Sequence, residues 1–148
     1  MPVVRTEVEI DDAPLEHVWT VLCDFEAHAG YMADVLGIRF LERGEGTALS
    51  SWRVLLNGSE VTWDERDVFT PMRRIDFDQT DGDLEVFRGF WELQETPTGV
   101  RVVLEIEFDI GIPSLAAVLD PIGIQAIESN SRSMLAAIRD RRPAPVSP

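Results

Sequence analysis

Hydrophobic and polar positions alternate over residues 3 to 10, with Val4, Thr6, Val8 and Ile10 on one side and Arg5, Glu7 and Glu9 on the other. A period of two sends successive side chains to opposite faces, so this segment predicts a half-buried strand. The period then lengthens. Leu15, Val18, Trp19 and Leu22 recur at the spacing of an apolar helix stripe, Pro14 suits a first helical turn, and Glu16 favours its positive end. This helix is expected to end before Gly30, with a second short turn over residues 25 to 31.

From Val35 to Ile110 the pattern returns to short strands separated by turn residues: Gly44 to Gly46, Asn57-Gly58, Pro71, Asp81 to Asp83, and Thr96 to Gly99. These dividers predict about six strands in an antiparallel meander. Alternation is clearest at Ile75, Phe77 and Gln79, at Phe87, Gly89, Trp91 and Leu93, and from Val102 to Ile110, where Glu105, Glu107 and Asp109 take the opposite face. One sheet face is therefore wet and the other covered. Past Pro113, residues 115 to 119 suit a helical turn, and Asp120-Pro121 reads as the cap and first position of a longer helix. Its stripe of Ile124, Ile127, Met134, Leu135 and Ile138 is interrupted by Ser129, Asn130, Ser131 and Ser133, which a helix plugging a dry core does not need. The order is one strand, two short helices, about six strands and one long helix: an α+β domain over residues 1 to 142. Residues 143 to 148 read as a disordered Pro-rich tail.

Composition narrows the function. A 148-residue chain with 45% apolar residues suffices for one domain with its own core. The net charge of −14 opposes binding to nucleic acid and anionic lipid. With no signal-like or membrane-spanning apolar run, a cytoplasmic protein without membrane insertion is expected. Cys23 stands alone beside two histidines, His17 and His28, which read as surface residues; neither a disulfide framework nor a metal site is expected. The chain also lacks a catalytic Ser/His/Asp arrangement, a phosphate loop and a dinucleotide glycine pattern, so no cofactor is expected.

Several segments carry a family resemblance: Asp-Ala-Pro-Leu-Glu-His-Val-Trp at 12 to 19, Thr-Trp-Asp-Glu-Arg at 62 to 66, Arg-Ile-Asp-Phe-Asp-Gln at 74 to 79, Phe87 to Trp91, and Phe-Asp-Ile-Gly-Ile-Pro at 108 to 113. The chain resembles the START-related superfamily of polyketide cyclases, dehydratases and coenzyme-Q-binding proteins, and most of all its aromatase/cyclases. The resemblance implies a helix-grip fold, in which a curved antiparallel sheet of about seven strands wraps a long C-terminal helix and encloses a pocket for a hydrophobic molecule.

In aromatase/cyclases of the tetracenomycin type, a strand segment Trp-x-Ser-x-Arg places its serine and arginine in the cavity, where the arginine holds ketone or enolate oxygens. Residues 62 to 66 resemble it, with Arg66 at the arginine and Asp64 where serine is expected. Trp63, however, is one residue closer to the arginine, so the two fall on opposite strand faces. Val61, Trp63 and Phe69 favour burial of the face without Arg66, and the resemblance favours the face with it; both phases stay open. An inward Arg66 would orient carbonyl oxygens through its fork of donors, with Asp64 or Glu60 as base. Trp52, Trp63, Phe77, Phe87 and Trp91, spread over successive strands, are expected to stack on a planar or polyene ligand. Gln79 offers a donor and an acceptor on an apolar face, while Tyr31 and Asn130 are expected at the pocket's mouth and floor.

The function expected is a polyketide aromatase/cyclase or dehydratase acting on a poly-β-keto intermediate, delivered by an acyl carrier protein. The alternative is a non-catalytic carrier or resistance protein for a quinone, lipid or polyketide product. The two differ in the ionisable groups inside the cavity: a cyclase needs a donor and a base near one carbon, a carrier little beyond an apolar wall. Monomer and homodimer are both compatible with the sequence.

Overall fold

A computed structural model describes residues 1 to 141; the expected tail at 143 to 148 lies outside the described residues. Strand β1 (Val3–Asp11) is followed by helix α1 (Leu15–Cys23) and a 3-10 turn, Phe25–Gly30. Six more strands follow: β2 (Val35–Arg43), β3 (Thr47–Leu56), β4 (Ser59–Thr70), β5 (Arg74–Gly82), β6 (Val86–Glu95) and β7 (Gly99–Asp109). After a short turn at Pro113–Leu115 the described residues close with helix α2 (Ala116–Asp140).

All neighbouring strands are antiparallel, in the order β1-β7-β6-β5-β4-β3-β2. This curved seven-stranded sheet with its long C-terminal helix is the helix-grip fold that the element order and the resemblance implied. Among the described residues no helix is long and apolar enough to cross a membrane.

The covered face is built from the alternating positions. Val4 and Ile10 of β1, Trp52 and Val54 of β3, Ile75 and Phe77 of β5, and Val102, Leu104 and Phe108 of β7 are all buried. Phe25, in the turn after α1, is fully buried and anchors one end, its ring 5.2 Å from those of Phe40 and Trp52 and 5.8 Å from that of Phe69. Burying a ring of this size contributes about 1.5–3 kcal/mol.

The β3–β4 connection fixes the register on which the site depends. Asn57 and Gly58 have φ of +53° and +80° and form a two-residue turn closed by the Leu56/Ser59 pair. Both positions need positive φ, which Asn and Gly tolerate best, and the twist of such a turn matches that of the strands it joins. Counting back from it, Trp52 faces Trp63 and Ser50 faces Glu65.

Helix α2 departs from expectation at its start. It begins at Ala116, and Pro121 lies inside it. Ala116, Ala117 and Leu119 favour helix, and the fixed φ of proline is a helical one. The bond lost is that to the carbonyl of Ala117, an exposed residue whose oxygen water can satisfy. Ile127, Met134, Leu135 and Ile138 are buried as expected, but Ile124 is exposed, as are Val118 and Ile122 in the first half of the helix. At Gly123 a Cβ would stand 2.8 Å from the Phe108 ring, so only glycine lets the helix lie this close to β7.

Candidate functional site

Four consecutive charged residues, Asp64 to Asp67, occupy the middle of β4. The register set by the Asn-Gly turn sends Trp63, Glu65 and Asp67 to the covered face, with Glu65 2% and Asp67 0% exposed. Arg66 is exposed, and Asp64 is half-buried on the same outer phase. The phase with Val61, Trp63 and Phe69 is therefore the inner one, although Val61 and Phe69 themselves are only half-buried. The expectation that Arg66 and Asp64 line the cavity is not met. Guanidinium cannot discharge itself in a low-dielectric interior, whereas a carboxyl buried there can take up a proton.

With the phase settled, Trp63-x-Glu65-x-Asp67 lies where the resemblance has Trp-x-Ser-x-Arg, so an acid stands at the arginine position. Trp63 Nε1 donates to Glu65 Oε1 at 2.7 Å. Ser50 Oγ donates to Asp67 Oδ2 at 2.5 Å and accepts from Trp52 Nε1 at 2.9 Å. The remaining oxygens, Glu65 Oε2 and Asp67 Oδ1, are buried without a hydrogen-bond partner, on side chains two residues apart on the same strand face. One proton held between the two carboxyls would satisfy both oxygens. Burial, with the neighbouring Asp67, holds Glu65 well above the usual carboxylate range; burial also raises Asp67, against the hydrogen bond it receives from Ser50.

The pair adjoins an internal cavity between the sheet and α2. Glu65 is its one titratable lining group; the rest of the wall is Trp52, Trp63, Phe77, Phe87, Trp91, Leu104, Ile106, Asn130 and Met134. Trp52 and Trp63 stack at 5.7 Å and 11°, and Phe87 lies 4.6 Å from Trp63 and 5.8 Å from Phe77. The centre of a water molecule can move over about 30 Å³ of this space, room for a water or two. Asn130 closes it on the helix side and donates from Nδ2 to the Leu55 carbonyl at 3.3 Å. Of the polar interruption in α2, Asn130 thus faces the cavity, while Ser131 is buried but is not part of its wall.

Six residues singled out from the sequence are brought together here: Trp52, Trp63, Phe77, Phe87, Trp91 and Asn130. Gln79 is not among them. Its Nε2 donates to the Leu84 carbonyl at 2.7 Å, and its Oε1 is buried without a partner. A bulge diverts it, since Asp64 pairs with Asp81 but Glu65 with Gln79, leaving Thr80 as the extra residue. Tyr31 also lies off the cavity wall; the Arg141 guanidinium sits 4.4 Å over its ring, and burial pushes its hydroxyl up to about 12. His28, read as a surface residue, is fully buried, with Nε2 donating to the Val21 carbonyl at 3.2 Å and burial lowering its pKa. The helical pattern did not reach that far, because His28 sits in the 3-10 turn beside Phe25.

Sequence reasoning passed over Glu65, Asp67 and Ser50. The signal for the first two was the strand phase of Trp63 itself; nothing local marked Ser50, which is tied to the pair only across the sheet.

The fold and this cavity define a helix-grip protein of the ligand-binding type. A family model described as polyketide cyclase/dehydrase and lipid transport matches residues 11 to 135, and the chain belongs to that family. Among solved structures, it is similar to TTHA0849 from Thermus thermophilus, at 26% identity and a TM-score of 0.86 over 95% of this chain and 96% of that one. It is also similar to the Zhui aromatase/cyclase from Streptomyces sp. R1128, at 22% identity and a TM-score of 0.83 over 93% and 91% of the two chains. A START superfamily protein from Mycobacterium smegmatis shares the fold at 12% identity and a TM-score of 0.72, over 93% and 95%. Comparison with curated proteins finds no match.

Proposed function

We propose that this protein takes up a neutral, carbonyl-rich hydrophobic molecule of the poly-β-keto kind, delivered by an acyl carrier protein, and catalyses its ring closure or dehydration. The observation that carries this reading is the Glu65–Asp67 pair, two carboxyls buried on one strand face, each with an unpartnered oxygen, beside an aromatic wall. A carrier has no use for such a pair, whereas aldol closure with loss of water needs both of its protonation states.

In ring closure, the carbonyl oxygen under attack gains a proton as the enolisable carbon loses one. In dehydration, the leaving hydroxyl gains a proton as the α-carbon loses one. Either step leaves the pair holding one proton, which passes back to its first carboxyl before the next turnover, so no further reactant is required. Aromatic stacking and exclusion of water would orient the chain and strengthen each electrostatic contact. An entry path is offered by an apolar groove along the same face of α2, where Gly123 and Ile127 lie with Leu56, Leu84, Phe108 and Ile110. Ring systems need pockets of about 300–1,000 Å³, so entry must part the α2 side of the wall, where Asn130 and Met134 lie. The likeness to the Zhui aromatase/cyclase in fold agrees with the reading.

The test is product formation by a reconstituted polyketide synthase with this protein added. Glu65→Gln and Asp67→Asn are expected to lower the rate of cyclised or dehydrated product by about a hundredfold to ten-thousandfold, the usual scale of general acid–base catalysis. Unchanged rates in both variants would overturn the assignment. The carrier reading has its own support in the otherwise apolar wall. It prevails if wild type binds the polyketone, seen as quenching of Trp52 and Trp63 fluorescence, yet yields no product above the synthase alone.

A further inference from the structure

The polar groups around the carboxyl pair form a chain whose direction can be worked out atom by atom. An indole N–H donates and never accepts. Trp52 Nε1 therefore uses a lone pair of Ser50 Oγ, and the Ser50 hydroxyl hydrogen is turned to Asp67 Oδ2. At the other end Trp63 Nε1 occupies Glu65 Oε1 as an acceptor. The oxygens left without a partner are Glu65 Oε2 and Asp67 Oδ1, and one proton held between the two carboxyls would satisfy both. Asp67, already receiving a hydroxyl, is better stabilised as the anion. The 2.5 Å bond from Ser50 has the length of a hydroxyl bond to an anion, which leaves Glu65 as the member better stabilised as the acid.

We propose that Ser50, oriented by Trp52, is a positioning residue that keeps Asp67 as the carboxylate and places the shared proton on Glu65, the member of the pair that lines the cavity. All hydrogen bonds then run one way from each end, Trp52 to Ser50 to Asp67 and Trp63 to Glu65 to Asp67, and no buried donor opposes another. The assignment makes the pair an acid toward the ligand, backed by a fixed anion that can receive a proton in return. A hydrogen-bond acceptor is thus recognised first, a carbonyl or hydroxyl oxygen, and a carboxylate ligand is repelled by Asp67. The functional consequence rests on the reading of the pair as the reacting groups, but the position of the proton is a property of the unliganded protein.

No other charge competes for this proton within the cavity. The wall contributed by β3, β5, β6, β7 and α2 holds no titratable side chain. From the turn after α1 the nearest such group is His28, whose ring centre is 6.4 Å from that of Trp52. Glu65 and Asp67 are the buried carboxyl residues of the described chain, so a protonated carboxyl at neutral pH is attributable to them.

Infrared spectroscopy of the unliganded protein tests the proposal without any substrate. Wild type prepared with 13C-carboxyl glutamate should show its protonated-carboxyl band displaced, and protein with 13C-carboxyl aspartate should show it unmoved. The reverse result, or no such band at neutral pH, would overturn the assignment. Ser50→Ala should raise the acid-side titration of labelled Asp67 by about one to two pH units, the worth of a hydrogen bond to a charged group. Ser50→Thr, which keeps the hydroxyl, should restore the wild-type value. Equal titrations in wild type and Ser50→Ala would show that Ser50 does not position the proton. If the isotope result holds while Glu65→Gln leaves product formation intact, the proton is correctly placed and the proposed function is the part that fails.

Discussion

Glu65→Gln is the substitution whose consequences for stability can be followed furthest. Glutamine copies the shape of a protonated glutamate, with Oε1 still able to accept from Trp63 and an amide hydrogen still able to reach Asp67, but it cannot ionise. In the unfolded chain Glu65 loses its proton near the ordinary value of 4.5, whereas in the folded protein burial and Asp67 hold it well above that. Between those two values the folded state carries a proton that the unfolded state has lost. The stability from this group is complete below the unfolded value and is lost as pH rises toward the folded one. One proton corresponds to about 1.4 kcal/mol per pH unit. For a domain of this size that is about 3–5 °C in melting temperature per pH unit. Urea denaturation of wild type and Glu65→Gln, repeated from about pH 5 to pH 7, isolates the effect, because the exposed carboxylates contribute equally to both. The variant should gain on wild type by that slope across the interval. Parallel stability curves would refute the reasoning, since they would mean that Glu65 ionises normally in the folded protein.

Other substitutions probe the placements around it. Arg66→Lys and Arg66→Ala, on the exposed face of β4, should change stability by less than about 0.5 kcal/mol and leave the rate of product formation as it is in the reconstituted synthase assay. Gly123→Ala adds a Cβ 2.8 Å from the buried Phe108 ring; overpacking of about 1–3 kcal/mol should outweigh a helix-propensity gain of about 1 kcal/mol, giving a net loss in urea denaturation. The Cys23 thiol, pushed up to about 12 by burial, should alkylate slowly at neutral pH in the folded protein and rapidly in urea. The thiolate population behind that contrast differs by on the order of a thousandfold.

The element order was legible because each segment follows a local rule. Period-two alternation marks the strands, Asn57-Gly58 and Pro71 mark the turns, and the Leu15 to Leu22 stripe marks the first helix. The aromatic wall was legible for the same reason: Trp52, Phe77, Phe87 and Trp91 repeat the apolar phase of their own strands. The start of α2 was less so, since Pro121 is a helix-start signal in isolation but lies inside a helix whose preceding turn, with Ala117 and Val118, is exposed.

The chemistry of β4 was not legible, and the reason is physical. Asp64, Glu65, Arg66 and Asp67 are all charged, so hydrophobic phase carries no information at the four positions where it matters, and a slip of one residue exchanges Glu65 and Asp67 for Arg66 and Asp64. The sequence by itself determined the strand, its length and the turn before it. Only the tertiary structure decided which charges went inside. The decision rests on groups distant in the chain: Ser50 on β3, accepting from Trp52, turns its hydroxyl hydrogen to the Asp67 carboxyl. A carboxyl pair can enter a dry cavity by keeping one proton, and arginine has no such recourse.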